Sequence, residues 1–264
     1  MNIHLLTIDP QNDFCDPNGS LFVPGADEDM KRLAAMITRV GSKLNDIHVT
    51  LDSHRIVDVA HPVFWKNSEG NHPGPFTIIS AGDVKNGTWQ TTNPGFASRG
   101  LDYVNQLEAN GRYPLCIWPE HCIIGSWGHG IYPEISTVLQ AWERDRFAIV
   151  DYVTKGSNLF TEHYSALQAD VPDPGDHTTM LNTRLIDILE KTDLVAITGQ
   201  ALSHCVANTV RDIIDNFGTD SVKKLVLLED TTSNVPGFES LGEDFVKFAV
   251  SKGMQVSKST EFLL

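Results

Sequence analysis

The chain has 264 residues, 41% of them hydrophobic and 20% charged, a length and mixture that exclude a disordered or fibrous chain and suit one large α/β domain or two small ones. Lys plus Arg number 20 against 34 Asp plus Glu, a formal net charge of −14 at pH 7, which gives no general attraction to phosphate backbones or anionic lipid. The nearest basic cluster, Lys223 and Lys224, is flanked by acidic residues, so neither nucleic acid nor a membrane is expected as a partner.

No apolar run reaches the roughly 18 residues that span a bilayer, and the opening segment MNIHLLTIDPQNDF meets charge too soon for a secretory signal. A cytoplasmic protein is expected. Four cysteines, Cys15, Cys116, Cys122 and Cys205, form no CxxC pair and are too few for a disulfide scaffold, so each is expected as a free thiol.

In chain order, Ile3 to Ile8 reads as a buried strand, Asp27 to Leu44 carries apolar residues at helical spacing, and Ile47 to Leu51 reads as a second strand. Strand, helix, strand is the opening of a doubly wound sheet. Residues 52–99 then break the alternation: they are rich in Gly, Pro, His, Asn and aromatics and hold no helical period. Residues 111–134 are similar. Long irregular stretches are usually functional or disordered, and the aromatic content argues against disorder, so both are expected as long active-site loops. Around and after them come Phe147 to Val153 as strand, Met180 to Lys191 as helix, Leu194 to Thr198 as strand, Cys205 to Asn216 as helix, Leu225 to Leu228 as strand and Leu241 to Lys252 as helix. Several strands are apolar throughout, as when helices cover both faces of a parallel sheet. With no internal repeat, one α/β domain over residues 1–264 is expected.

Ligands of open α/β sheets sit outside the carboxyl ends of the strands. That rule selects Asp9 after the first strand, Asp52 and His54 after the second, Lys155 after the strand from Phe147, and the turn GQALSHC with Cys205. A cysteine where a strand passes through a turn into a helix can have its thiol pKa lowered by the helix start, and nearby backbone amides can hold an oxyanion; a small buried side chain is the plainer alternative. Asp9 alone could be a turn aspartate and Lys155 alone a solvated surface lysine. Together the three supply a proton acceptor, a charge partner and a nucleophile. The pair Asp52-x-His54 suits a divalent metal with oxygen and nitrogen ligands. His121 could add a third ligand from another loop, and His61 and His72 are further candidates, although ten histidines also produce chance pairs.

The segments LLTIDPQNDFC, TLDSH after a strand, WPEHC followed by G-x-W-G, Lys-Gly after a strand, and ITGQALSHCVANTV resemble the nicotinamidases of the isochorismatase-like cysteine hydrolases, from about residue 3 to residue 238. The resemblance implies a three-layer, Rossmann-like fold with a central parallel sheet flanked by helices, and a catalytic triad of Asp9, Lys155 and Cys205. It puts metal ligands at Asp52, His54 and His121, with a variable fourth for which His61 is the candidate. The implied cofactor is a divalent ion that anchors the pyridine nitrogen of the substrate, zinc in the first place, with manganese or iron suiting the same ligands. Phe14 and Trp118 would flank the substrate ring, and a cis bond at Gln200-Ala201 would aim the Ala201 amide at the substrate. The implied reaction is hydrolysis of nicotinamide to nicotinate and ammonia through a thioester. Hydrolysis of another small amide or ureido compound is the alternative, and a non-catalytic metal-binding or scaffold protein a third reading. Relatives are often dimers or tetramers, which implies a homo-oligomer. Two features depart from the family: Leu202-Ser203 stands where Thr-Asp is common, and the stretch from His54 to His121 is long.

Overall fold

Apolar runs bounded by turn residues become parallel strands here because helices cover both faces of the sheet they form. The computed structural model describes residues 1–111, 113–218 and 221–264; residue 112, in the second of the two irregular stretches, lies outside the described residues. Six strands make the central sheet: β1 (Ile3–Ile8), β2 (Asp46–Asp52), β3 (Asp151–Lys155), β4 (Leu194–Gly199), β5 (Leu225–Leu228) and β6 (Gln255–Ser257). Their order is β6-β5-β4-β1-β2-β3, every pair parallel. All residues of β1 and β5 are buried.

Helices α1 (Ala26–Val40), α2 (Ala97–Asn110), α3 (Pro133–Arg146), α4 (Thr183–Glu190), α5 (Ala207–Asn216) and α6 (Glu239–Ser251) accompany the sheet. Met30, Leu33, Met36, Ile37 and Val40 of α1 are buried at three- and four-residue intervals, the inward stripe of an amphipathic helix. Asp27, Glu28 and Asp29 occupy its first turn and Arg39 its last, the charge order that suits the helix dipole. α1 packs on α3, and α5 on α6. Among the described residues no helix is long and apolar enough to cross a membrane.

Three boundaries differ from the sequence reading. The strand expected from Phe147 to Val153 begins at Asp151 and runs on to Lys155, because Phe147 closes α3 in a left-handed conformation (φ 50°) and is fully exposed. Apolar character alone misread that helix exit as sheet. The stretch 52–99 is not irregular throughout: Trp65–Lys66 pairs with Gln90–Thr91, Ile78–Ile79 pairs with Leu115–Cys116, and a short helix at Ala81–Lys85 is closed by a capping box between Ser80 and Asp83. These pieces are too short for a periodic signal. Finally, the helical run holding Cys205 begins at Leu202 with a π-helical turn to Val206 and continues as α5.

The chain order crosses the sheet so that β1 is flanked by β2 and β4, and the connections leave β1 in opposite directions. Such a reversal opens a crevice at the carboxyl ends of the central strands. Gly199 closes β4 against β1 with φ +113°; a Cβ there would lie 2.0 Å from the Ile8 carbonyl oxygen. Only glycine permits both the backbone angle and the approach.

Candidate active site

β1 ends at Ile8, and Asp9 leaves the sheet with φ 44°, a left-handed conformation that aspartate tolerates better than most residues. The side chain turns into the crevice and is fully buried. Thr50 on β2 fixes it twice: the Asp9 N–H donates to Thr50 Oγ1 at 3.0 Å, and that hydroxyl donates to Asp9 Oδ1 at 2.5 Å. The other oxygen, Oδ2, lies 3.0 Å from Lys155 Nζ.

Lys155 ends β3 and is also buried. Its ammonium lies 3.1 Å from Asp52 Oδ1 and 3.6 Å from Cys205 Sγ, and donates to the His163 carbonyl at 2.9 Å. The glycine that follows, Gly156, has φ +83°, and a Cβ on it would meet Asp52 Oδ1 at 2.8 Å. Lys-Gly is thus needed as a pair: the lysine supplies the charge and the glycine makes room for the carboxylate.

The electrostatics follow from burying four charged or chargeable groups together. Burial pushes the Asp9 carboxyl above its ordinary value, with Lys155 opposing and Asp52 adding to the rise. Burial likewise pushes the Cys205 thiol well up, against the pull of Lys155. The sequence reading expected a helix start to lower this thiol; desolvation outweighs it, so the resting sulfur carries its proton. For Lys155 burial works downward, but Asp52, Asp9 and Cys205 together hold it well above its ordinary range. Burial would raise Asp52 too, yet His54 and Lys155 hold it well below the ordinary carboxylate range.

Asp52 ends β2 and faces a second cluster. One ligand atom from each of Asp52, His54 and His121 lies within 4.8 Å of the other two, and all three residues are buried. His54 Nε2 is 3.1 Å and His121 Nε2 3.4 Å from Asp52 Oδ2. Each histidine has its Nδ1 engaged elsewhere: His54 with Asp58 Oδ2 at 3.0 Å, and His121 with the Pro119 carbonyl at 2.8 Å. With Nδ1 engaged outward, each Nε2 faces inward toward Asp52, the orientation found around bound metal ions. His61 belongs to the same group of rings, 5.1 Å from His54 and 5.5 Å from His121 between centroids. Its Nδ1 faces the Arg55 carbonyl at 3.0 Å, while its Nε2 is buried with no hydrogen-bond partner among the described residues. One carboxylate and two imidazoles, with an orphaned third imidazole nitrogen beside them, fit a divalent ion. His72 is elsewhere, with Nδ1 2.6 Å from the Trp65 carbonyl oxygen.

A small cavity of about 30 Å³ opens between the cluster and the thiol, lined among others by Phe14, Trp118, His121, Tyr164, Ala201 and Cys205. Phe14 meets His121 edge-on at 5.4 Å, and Trp118 donates its indole N–H to the Tyr164 hydroxyl at 2.9 Å. The Gln200–Ala201 peptide bond is cis, as the motif implied. Ser203, at one of the two departures from the family, accepts from the Val235 N–H at 3.1 Å and meets His204 Nδ1 at 2.9 Å.

Four residues of this site went unread in the sequence. Gln11 joins the ends of two strands, its amide oxygen accepting from Asp52 N–H at 2.7 Å and its amide nitrogen donating to the Asp52 carbonyl at 2.8 Å. Asp13 accepts from the Cys122 N–H at 2.6 Å and the Ser20 N–H at 2.9 Å, pinning the loop that carries His121. Asp58 orients His54. Glu162 is buried in the cavity wall with Oε1 3.8 Å from His54 Nε2, and burial raises its carboxyl above the ordinary value. Gln11 and Asp13 stood inside a quoted motif; Asp58 and Glu162 carried no local signal.

Comparison with known proteins adds a separate line. The chain is 28% identical over 209 residues to the nicotinamidase of Saccharomyces cerevisiae, covering 78% of each. A solved nicotinamidase/pyrazinamidase from Acinetobacter baumannii superposes with a TM-score of 0.67 at 23% identity, over 99% of this chain and 98% of that one. The chain thus resembles curated nicotinamidases in sequence and shares the fold of solved ones. The same architecture is shared by the pyrazinamidase of Pyrococcus horikoshii in complex with zinc, TM-score 0.56 at 17% identity over 98% of this chain and 99% of the other. No protein-family model matches the chain.

Proposed function

We propose that the chain is a cysteine amidohydrolase that converts nicotinamide and water to nicotinate and ammonia, with Asp9, Lys155 and Cys205 as its catalytic residues. The observation that carries this reading is the buried ammonium of Lys155, within 3.0 Å of Asp9 and 3.6 Å of Cys205 at the wall of a cavity that also meets Asp52 and His121.

Burial raises the proton affinity of the Cys205 thiol and of the Asp9 carboxylate alike, so the resting thiol keeps its proton, and Asp9, held as a carboxylate by Lys155 and Thr50, is a strengthened base ready to take it. The thiol proton therefore passes to Asp9 only when the sulfur attacks, and Lys155 stabilises the charge as it moves between carboxylate and sulfur. The thiolate adds to the amide carbon, and the oxyanion rests on the backbone amides of Ala201 and Cys205. Asp9 returns the proton to the leaving nitrogen, ammonia departs, and a thioester remains on Cys205. Asp9 next takes a proton from water, the resulting nucleophile cleaves the thioester, and the thiol is reprotonated.

Asp52, His54 and His121 are the residues that would hold a divalent ion, zinc in the first place as in the Pyrococcus horikoshii pyrazinamidase, with His61 as the candidate fourth protein ligand. When bound, the ion supplies a Lewis-acid anchor for the ring nitrogen of the substrate. Phe14 and Trp118 hold the ring between them and keep water from its faces. The nicotinamide carboxamide is then presented to Cys205 by a ring fixed at its other side.

Ammonia release from nicotinamide tests the reading, with the Cys205→Ala protein as control. Release that vanishes in the variant is expected. A folded, zinc-loaded wild-type protein that releases no ammonia from nicotinamide would exclude this substrate.

A further inference from the structure

A second cluster of metal-binding side chains stands at the opposite rim of the sheet. His4 lies near the start of β1, five residues before Asp9 and thus about 16 Å away along an extended strand. Asp46 and His48 lie at the start of β2, with Asp46 in register with His4. His4 Nδ1 and His48 Nε2 are 2.9 Å apart, and a carboxylate oxygen of Asp46 comes within 4.8 Å of ligand atoms on both. His4 and His48 are buried and Asp46 half-buried.

The orientation of His48 is set from outside. Its Nδ1 lies 2.9 Å from Asp151 Oδ2 on β3, and Asp151 is in turn gripped by Arg184 at 3.2 Å. A carboxylate there accepts the Nδ1–H and leaves the Nε2 lone pair facing His4. His4 meets that lone pair with its own Nδ1–H. A neutral imidazole can carry its proton on either nitrogen, so moving the His4 proton to Nε2 turns two lone pairs toward one point, with the Asp46 carboxylate as the third ligand.

We infer that His4, Asp46 and His48 form a second divalent-metal site, which takes an imidazole-preferring ion such as zinc and uses Asp151 as its outer carboxylate. Two imidazoles and one carboxylate leave a fourth tetrahedral position for water. An ion there ties β1 to β2 far from the reacting atoms, and binding to the folded chain alone stabilises it by mass action. It does not depend on the substrate, or on the ion at the catalytic rim.

The test is zinc titration of the metal-stripped full chain by calorimetry, with bound zinc counted by elemental analysis. Two ions per chain are expected for the wild type and one each for His4→Gln and His121→Gln. Zinc should raise the thermal midpoint of His121→Gln but leave the doubly substituted His4→Gln, His121→Gln protein unmoved, and His4→Gln should keep full turnover. A wild type that binds one ion, retained in His4→Gln and lost in His121→Gln, overturns the inference and leaves the catalytic-rim ion standing. One ion lost in His4→Gln alone supports the inference and removes the other site instead. If His4→Gln does not fold, Asp46→Asn carries the same comparison, since among the described residues the hydrogen bond to the Asp46 side chain comes from the adjacent Ile47 N–H, at 2.9 Å, and an amide oxygen can accept it equally.

Discussion

The Lys155 ammonium touches the Cys205 sulfur at 3.6 Å, and the same ammonium meets Asp9 at 3.0 Å and Asp52 at 3.1 Å. One buried cation therefore joins the thiol to two carboxylates with different surroundings. Asp9 is raised by burial and keeps only Lys155 and Thr50 as partners that favour its charge. Asp52 has the histidines as well and stays ionised. Environments that push two neighbouring carboxyls apart assign them different work: a proton carrier on one side and a fixed negative charge on the other.

Replacing Cys205 by Ala removes the only group in this arrangement that can form the thioester. Turnover of nicotinamide should fall by about 10⁴-fold or more, as when a covalent nucleophile is deleted elsewhere, while the thermal midpoint should change little because the sulfur makes no strong bond in the resting site. Single-turnover assays with mass detection of the acyl intermediate check both halves. Turnover within tenfold of the wild type would remove Cys205 from the mechanism.

Replacing Lys155 by Met keeps the volume and deletes the charge. Asp9 and Asp52 then share a dry crevice with no cation between them. Breaking one side of a buried ion pair typically costs about 3 to 5 kcal/mol, so a marked drop in the urea midpoint is expected alongside loss of turnover. The Asp9 carboxyl should rise further, which moves the acid limb of any residual activity to higher pH. A variant as stable as the wild type would show that the ammonium is not the partner of both acids.

Much of this was legible in the chain itself, for reasons that differ by residue. Asp9, Asp52, Lys155 and Cys205 each follow an apolar run, and the carboxyl ends of parallel strands meet at one rim whatever the loops do. His54 and His121 were legible through the short motifs D-x-H and W-P-x-H-C. Asp58 and Glu162 were not, because they reach the site through loops whose path no periodicity fixes. The start of β3 was misplaced because Phe147 and Ile149, exposed at 100% and 81%, read as strand interior by hydrophobicity alone. The thiol's raised pKa was missed because a helix start is visible in sequence and the depth of burial is not.

Asp58 offers a way to weaken the metal cluster without touching a ligand. Its Oδ2 lies 3.0 Å from His54 Nδ1, and its Oδ1 accepts from the Ala60 N–H at 3.0 Å. Asp58→Asn should cost about 10- to 100-fold in zinc affinity at the catalytic rim, the usual cost of losing an outer carboxylate. Competition with a chromogenic chelator measures it. Chelator should abolish nicotinamide turnover, zinc should restore it, and benzamide, which lacks the ring nitrogen, should be a poor substrate with or without the ion. Chelator-resistant turnover of nicotinamide would detach the cluster from substrate binding.

His204 gives the fold a dependence on acid that one substitution should reduce. The ring packs against Tyr113, Trp118, Tyr164 and Phe238 at centroid distances of 4.9 to 5.3 Å, and burial lowers its pKa to about 4. In the unfolded chain the same imidazole takes a proton near pH 6.5. As pH falls from 6.5 toward 4 the unfolded state therefore binds the extra proton and the folded state does not, so stability present above pH 6.5 is lost across that window. Spread over about 2.5 pH units, the loss is on the order of 3 kcal/mol from this residue. His163, lowered to about 3 by burial and Lys155, adds to the same slope and stays in place. His204→Phe keeps an aromatic ring in the box and removes one proton, so its unfolding free energy, measured in urea at pH 7 and pH 4.5, should fall less steeply than that of the wild type. Equal slopes for the two proteins would mean that His204 is already charged in the folded state, or that the box opens to water.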